Sequence, residues 1–457
     1  MKRFTTIFLL FTLLITLGAG CGGSSTAEIA ATTPVRLTIW RVFDDDDTLK
    51  TIMNNYRALH PNVSFDYREL RYDEYQDELL RAFAEGTGPD IFSIHNTWIG
   101  EYENLIQPLP DTVTIPYTET RGSIKKEQVT TLIEETTISQ RQLETDFVEI
   151  VSHDVVRDYQ PNIKLEAEER IFGLPLSVDT MVLFYNRDLL SQANIAQPPT
   201  TWTQFQENVA ALTSIGTGDT VLQAGAALGT SNNVERSFDV LSLLMMQNGV
   251  QMTNDRGNAT FAESQDRSDP ASFEALRFYT DFANPLKQVY TWNNDMEDSF
   301  DAFTNGKTAF FFGYSYHIPL IETQNPKLDY AISSAPQIEG GRTVNYANYW
   351  VETVAKSTPS LDWAWDFIEY ATSANQVVYY LGTAQKPTAL RGLINTQLED
   401  EVLYPFATQL LTAKSWYLGD NADVAEEAFN DMIDEALAGA EVETIVGDAQ
   451  NKVNQTL

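Results

Sequence analysis

One cysteine stands in 457 residues, at position 21. A single thiol excludes an internal disulfide and any multi-cysteine metal centre. Histidine is nearly as scarce: four residues, too scattered for a histidine metal cluster. Positive charge is also short. Lys and Arg number 30 against 64 Asp and Glu, a formal net charge of −34, which would repel nucleic acid and anionic membrane surfaces. Past the N-terminus no stretch reaches the roughly 18 uninterrupted apolar residues that a spanning helix needs. The Gly-x-Ser-x-Gly elbow, His-Glu-x-x-His and the P-loop are absent. Catalysis is left with weak support, although 64 carboxyls make acid pairs inevitable and keep a glycoside hydrolase open as an alternative.

What is present is ordinary for a globular protein: 43% hydrophobic and 21% charged residues, in a chain long enough for two or three domains. The N-terminus carries an address. Lys2 and Arg3 precede an apolar stretch, 4–17, followed by Gly18-Ala19-Gly20-Cys21. Small residues before a cysteine, straight after such a stretch, resemble a bacterial lipoprotein signal. Residues 1–20 are therefore expected to be removed and Cys21 to be lipidated, giving a mature chain of about −36 (−34 minus 2). Small, polar residues 21–34 read as a flexible tether.

From residue 35 strands and helices alternate. Strands are expected at 35–40, 63–70 and 88–94, with helices at 48–59 and 75–84 between them. That order implies an α/β fold with a parallel sheet. Ligands then sit beyond the strand ends, here 41–47 and 95–98. Residues 171–190, IFGLPLSVDTMVLFYNRDLL, follow a turn-like Gly173 and Pro175 with a β-branched and aromatic run suited to a strand buried on both faces. Asp179 is the lone charge there. Further helices are expected at 202–212, 233–248, 270–282 and 361–372, and extended chain at 310–312 and 343–355.

FAEGTGPDIFSIHNTWIGEY, GLPLSVDTMVLFYNRDLL, PPTTWTQF, AFTNGKTAFFFGYS, NYWVETVAK and DWAWDFIEYATSANQ occur in that order. Together they resemble family 1 of the extracellular solute-binding proteins, the maltose-binding-protein-like receptors of ABC importers. The resemblance runs from about residue 35 to the C-terminus. It implies a two-lobed, type II periplasmic-binding-protein fold, with a ligand cleft between lobes joined by three crossings. Lobe 1 would use 35–178 and 350–390, and lobe 2 180–345 and 391–457. Residues 111–170 are longer than the family needs. They read as an elaboration with a helix over 139–159.

Sugar recognition asks for aromatic faces against pyranose C–H groups and planar polar side chains against hydroxyls. The resemblance implies ligand contacts at Trp40, Asp44, Asn96, Trp98, Asp179, Asn232, Trp292, Tyr314, Tyr346, Asn348, Trp350, Arg391 and Trp416. His95 ranks below its neighbours because a lone histidine is more often structural. Arg41 and Arg391 are the only cations near these positions, which favours a neutral mono- or oligosaccharide. The partners implied are that carbohydrate, the permease subunits and, through Cys21, the outer face of the cytoplasmic membrane. A monomer without cofactor or metal is expected. A surface adhesion lipoprotein is the alternative.

Overall fold

The computed structural model describes residues 25–123, 126–162, 164–264 and 270–457. The expected signal, 1–20, and Cys21 lie outside them. In chain order the strands are β1 (Val35–Val42), β2 (Val63–Leu70), β3 (Ile91–His95), β4 (Thr112–Arg121), β5 (Glu127–Thr136), β6 (Val156–Tyr159), β7 (Glu168–Ile171) and β8 (Asp179–Thr180). They continue with β9 (Val182–Asn186), β10 (Ser214–Ile215), β11 (Val221–Ala226), β12 (Thr308–Gly313), β13 (Tyr330–Ser334), β14 (Asn345–Asn348), β15 (Trp350–Val354) and β16 (Ala413–Lys414).

The first sheet has the order β15-β3-β1-β2. β1 runs parallel to β2 and β3, and β15 closes the far edge antiparallel to β3. The strand composition follows this order. Interior β3 is apolar and buried through Ile91, Phe92 and Ile94, as a strand covered on both faces must be. Edge strand β2 exposes polar Ser64, Asp66, Arg68 and Glu69, and charge on an edge opposes pairing with another chain. The helices Asp46–Leu59 and Tyr72–Glu85 make the two crossovers. Gly86, left-handed at φ 73°, ends the second, where a side chain would be strained.

The second sheet has the order β10-β11-β12-β9-β13. β9 lies antiparallel to both β12 and β13, so Val182, Leu183 and Phe184 are fully buried. The expected doubly covered strand is thus found. Its neighbour β12 is buried throughout, with Phe310, Phe311 and Phe312 in sequence. The helices Ser237–Gln247, Ala271–Asp281, Ala422–Leu437 and Val442–Val453 pack on one another.

A short third sheet, β16-β14-β8, joins the two. β8 leads into β9 of the second sheet, and β14 leads into β15 of the first. Before β8 the chain lies along β15, with Leu174 and Glu352 exchanging backbone hydrogen bonds of 3.1 and 3.0 Å. Gly173 permits this approach: a Cβ there would come within 2.4 Å of Val351 Cγ1 and 2.7 Å of Glu352 O. The architecture is the two-lobed α/β fold expected.

Local expectations fail in three places, and one further element, a hairpin, lies where none was expected. Part of the expected tether is a helix, Thr26–Thr32, closed by a Ser25–Glu28 capping box. The helix expected over 139–159 is two, Gln140–Asp146 and Glu149–Val155, followed by β6. Phe147 and Val148 between them are extended, and Phe147 bridges to Leu390. Residues 112–136 form the hairpin β4–β5. The helix expected from 233 starts at Ser237, after Arg236 turns left-handed at φ 57°. Among the described residues no helix is long and apolar enough to cross a membrane.

Candidate ligand-binding cleft

The ends of β1 and β3, the segment before β8, the turn after β12 and the β14–β15 junction converge on one cavity of about 300 Å³. Its polar wall is built on two buried ionic clusters. In the first, Arg41 at the end of β1 is 2% exposed. Its Nη2 lies 2.9 Å from Asp44 Oδ2, and its Nε 3.1 Å from both Glu352 Oε1 and Ser93 Oγ. Its Nη1 has no hydrogen-bond partner, which is costly for a buried donor unless something else supplies one. Lys386 Nζ reaches Asp44 Oδ1 at 2.8 Å, and the Tyr380 hydroxyl donates to Asp44 Oδ2 at 2.8 Å. Burial opposes ionisation of Asp44, but the charges of Arg41 and Lys386 outweigh it and hold the carboxyl below its usual range.

In the second cluster Arg236 forms a two-pronged bridge to Asp239, 2.8 and 2.7 Å, and reaches Glu426 at 3.3 Å. Asp239 also accepts from the Tyr314 hydroxyl at 2.6 Å and from Asn348 Nδ2 at 3.2 Å. Asn348 Oδ1 lies 3.0 Å from His95 Nε2. Burial pushes His95 down to about 4, so its ring is neutral near pH 7 and donates through Nε2. Asp179 forms part of the wall between the clusters. It accepts from Ser315 N–H (2.9 Å), Ser315 Oγ (2.5 Å) and Thr180 N–H (2.8 Å). Burial raises its carboxyl to about 6 against these hydrogen bonds.

Aromatic rings form the remaining wall. Trp98 and Tyr72 stack at 6.0 Å, and Trp350 meets Trp98 edge-on at 5.3 Å. Phe43 stacks on Tyr72 at 5.8 Å and on Tyr316 at 6.1 Å. The cavity therefore offers flat apolar faces, hydrogen-bond donors and acceptors together. Such a lining suits a polyhydroxylated solute, whose hydroxyls both donate and accept.

Of the residues expected at the ligand, Asp44, Trp98, Asp179, Asn348 and Trp350 line this cavity. The others do not. Strand alternation turns Trp40 away from Arg41, and Arg68 covers its ring at 4.6 Å. Asn96 is 1% exposed and donates to Asp154 at 3.0 Å, whereas His95, ranked below it, faces the cavity. Asn232 is exposed outside it. Trp292 is buried, its Nε1 held by Asn233 Oδ1 at 3.0 Å. Tyr314 is buried on Asp239, and it is Tyr316, two residues on, that reaches the cavity. Tyr346 is 2% exposed within β14. Arg391 donates to the Phe147 carbonyl at 2.6 Å. Trp416 is core, packed on Phe238 and Phe429 with Nε1 donating to Ser242 Oγ. Arg236 and Lys386 join Arg41 in place of Arg391 as the cavity's cations. No feature of the sequence marked Tyr72, Tyr380 or Lys386. Nor was Arg236 marked: it was expected inside the helix from 233, and the structure leaves it in the turn before Ser237.

Comparison with known proteins gives the following. Residues 51–398 match the family model described as bacterial extracellular solute-binding protein. A relative from Brucella abortus is 19% identical over 320 residues, covering 69% of this chain and 66% of its own length, just under two thirds. The galactooligosaccharide-binding protein of Bacillus subtilis is 18% identical over 348 residues, covering 76% of this chain and 70% of that protein. Among solved structures, the maltose-binding periplasmic protein of Listeria monocytogenes in complex with maltose is similar with a TM-score of 0.68. It is 16% identical and covers 92% of this chain and 97% of that one. That likeness bears on the fold.

Proposed function

Since the chain belongs to the bacterial extracellular solute-binding proteins, we propose that it is the sugar receptor of an ABC importer, anchored outside the cytoplasmic membrane by lipid on Cys21. It binds a neutral saccharide between its lobes, closes, and delivers it to the permease. The lobes are 35–178 with 350–390, and 180–345 with 391–457. The observation that carries this reading is the cavity's mixed lining. Arg41, Arg236 and Lys386 supply donors, the carboxyls of Asp179, Glu235 and Glu426 supply acceptors, and the aromatic faces of Trp98, Trp350 and Phe43 line the same cavity. Carboxyls outnumber the three cations Arg41, Arg236 and Lys386 in the wall, so an anionic ligand would be repelled and would displace existing bridges, while hydroxyls can donate to the carboxyls without doing so. Binding selects the closed state because only there do both lobes touch the ligand.

Titration of tryptophan fluorescence with mono- and oligosaccharides tests the reading. Saturable quenching or enhancement by at least one neutral sugar is expected, because Trp98 and Trp350 line the cavity. Response to a peptide or polyamine alone would overturn the ligand class, and turnover of an added glycoside would overturn the binding role. Replacing Cys21 by Ala in a bacterial host should move the protein from the membrane to the soluble fraction.

A further inference from the structure

Two large side chains in the cleft sit on left-handed backbone, Arg236 and Phe43, and of these Phe43 carries the aromatic ring. Its φ is +67°, a region that bulky residues rarely occupy. The Asp44 N–H donates to the Val42 carbonyl at 2.9 Å, so residues 42–44 form a tight three-residue turn centred on Phe43. With positive φ at its centre this is the uncommon, strained form of the γ-turn. Strain of this kind persists only where the surroundings over-determine it, and such sites cluster at ligand clamps.

Here the flanks are pinned. Arg41 and Asp44 bridge each other at 2.9 Å, Lys386 and Tyr380 hold the Asp44 carboxylate, and the Tyr67 hydroxyl donates to the Asp44 carbonyl at 2.6 Å. The first ionic cluster thus clamps both ends of the turn and projects the ring between them into the cleft, where it stays 52% exposed.

The ring lands between two others. Its plane lies 14° from that of Tyr72, at the start of a first-lobe helix, and 3° from that of Tyr316, in the turn after β12 of the second lobe. Tyr316 in turn stacks on Tyr314 at 17°, and Tyr72 on Trp98 at 26°. These rings make a row across the cleft, and Phe43 is its link between the lobes among the described residues. The cavity beside this row holds about 300 Å³, the bottom of the range of roughly 300–1,000 Å³ usual for small-molecule sites.

We infer that Phe43 determines ligand length: it closes one end of the cleft and limits the solute to one or two sugar rings. This rests on the sugar-receptor reading above. A longer chain would have to pass where the Phe43 ring bridges Tyr72 and Tyr316. The strained turn keeps the ring there, because neither flank is free to rotate it away.

The test is calorimetric titration of the purified protein with glucose, maltose, maltotriose and maltotetraose, and with the corresponding mannose series of one to four rings. Wild type is compared with F43G, which relieves the strained φ, with F43A as a second truncation, and with F43W, which keeps a bulky ring. Thermal melts confirm that each variant folds. In wild type, one- or two-ring members of at least one series should bind about tenfold or more tighter than the four-ring member. F43G and F43A should bring these within about threefold, and F43W should preserve the wild-type preference. Equal wild-type affinity for two and four rings would overturn the inference. So would a folded F43G or F43A that keeps the short-chain preference. In either case the receptor reading stands, since sugar still binds. Failure of wild type to bind any member of either series would remove that reading and this inference with it.

Discussion

Arg41 has three roles that depend on one another. It offsets Asp44 and Glu352, it anchors the turn that carries Phe43, and it forms part of the cavity wall. Replacing it with Met removes the cation from between two buried carboxylates. The loss should be about 3–5 kcal/mol, because breaking a buried pair leaves charge uncompensated. Urea unfolding of R41M against wild type measures it, and a loss below about 1 kcal/mol would mean that water or Lys386 replaces the guanidinium. At this scale the strand-end loops were legible to within a residue or two, whereas Asn232, Trp292, Tyr346, Arg391 and Trp416 stand away from the cavity. Loops at the strand ends were located correctly, but Trp40 stood for Arg41, Asn96 for His95, and Tyr314 for Tyr316. Which neighbour faces a cleft depends on where a strand's alternation stops and a turn begins, and that is set by pairing across the sheet. Lys386 lies 342 positions from the Asp44 it bridges, and no local pattern announces such a partner.

At the scale of elements, the helix Leu361–Thr372 shows how an addition is secured to the first lobe. Asp362, Asp366 and Glu369 share one of its faces, at spacings of four and three residues. Asp362 accepts from Thr114 N–H of β4 at 3.3 Å, Asp366 from the Tyr56 hydroxyl at 2.5 Å, and Glu369 from Ile138 N–H at 2.7 Å. The hairpin β4–β5 and the segment after it are thereby fastened through backbone donors. Glu369→Ala removes the partner of Ile138 N–H. Amide hydrogen exchange in 112–142 should accelerate while sugar affinity stays unchanged, since Glu369 lies outside the cleft. Unaltered exchange there would show that the hairpin holds by its own pairing alone. The helix itself was legible end to end, as was Trp202–Leu212, because both carry helical apolar spacing and clear boundaries. The hairpin was not, although Thr, Val and Ile runs flank Gly122 and Ser123, a recognisable signal. Its outer strand is mostly exposed, so it shows little of the apolar alternation by which half-buried strands are recognised. The capping box Ser25-x-x-Glu28 was equally visible, but the small-residue composition around it pointed the other way.

At the scale of the molecule, a net charge of −34 sets up a general repulsion that acidification relieves. Individual groups pull both ways on top of it. Burial raises Asp179 and Asp366 to about 6 and Glu369 to about 7, from ordinary values of 3.8, 3.8 and 4.5. The folded chain therefore keeps these protons at pH values where the unfolded chain has released them. Each of the three adds stability as pH falls from about 7 to about 4, and loses it as pH rises through the same range. Burial also lowers His60 and His95 from 6.5 to about 4. The unfolded chain takes up these two protons first, so each histidine removes stability as pH falls from 6.5 to about 4. For His60, 2% exposed, that amounts to about 3 kcal/mol across the window. Burial raises further carboxyls, Glu352 and Glu426 among them. Together with the relief of repulsion, the gains outweigh the two histidine losses, and the unfolding midpoint should rise on acidification from pH 7.5 to 5. His60 sits against the rings of Tyr56, Tyr117 and Trp363, outside the cleft, where a phenylalanine keeps the aromatic packing without the titrating nitrogens. In His60→Phe one opposing contribution is gone, so the unfolding midpoint should rise on acidification from pH 7.5 to 5 more steeply than in wild type. Parallel profiles for the two proteins would mean that His60 protonates equally in the folded and unfolded chains, and that its burial does not govern its charge.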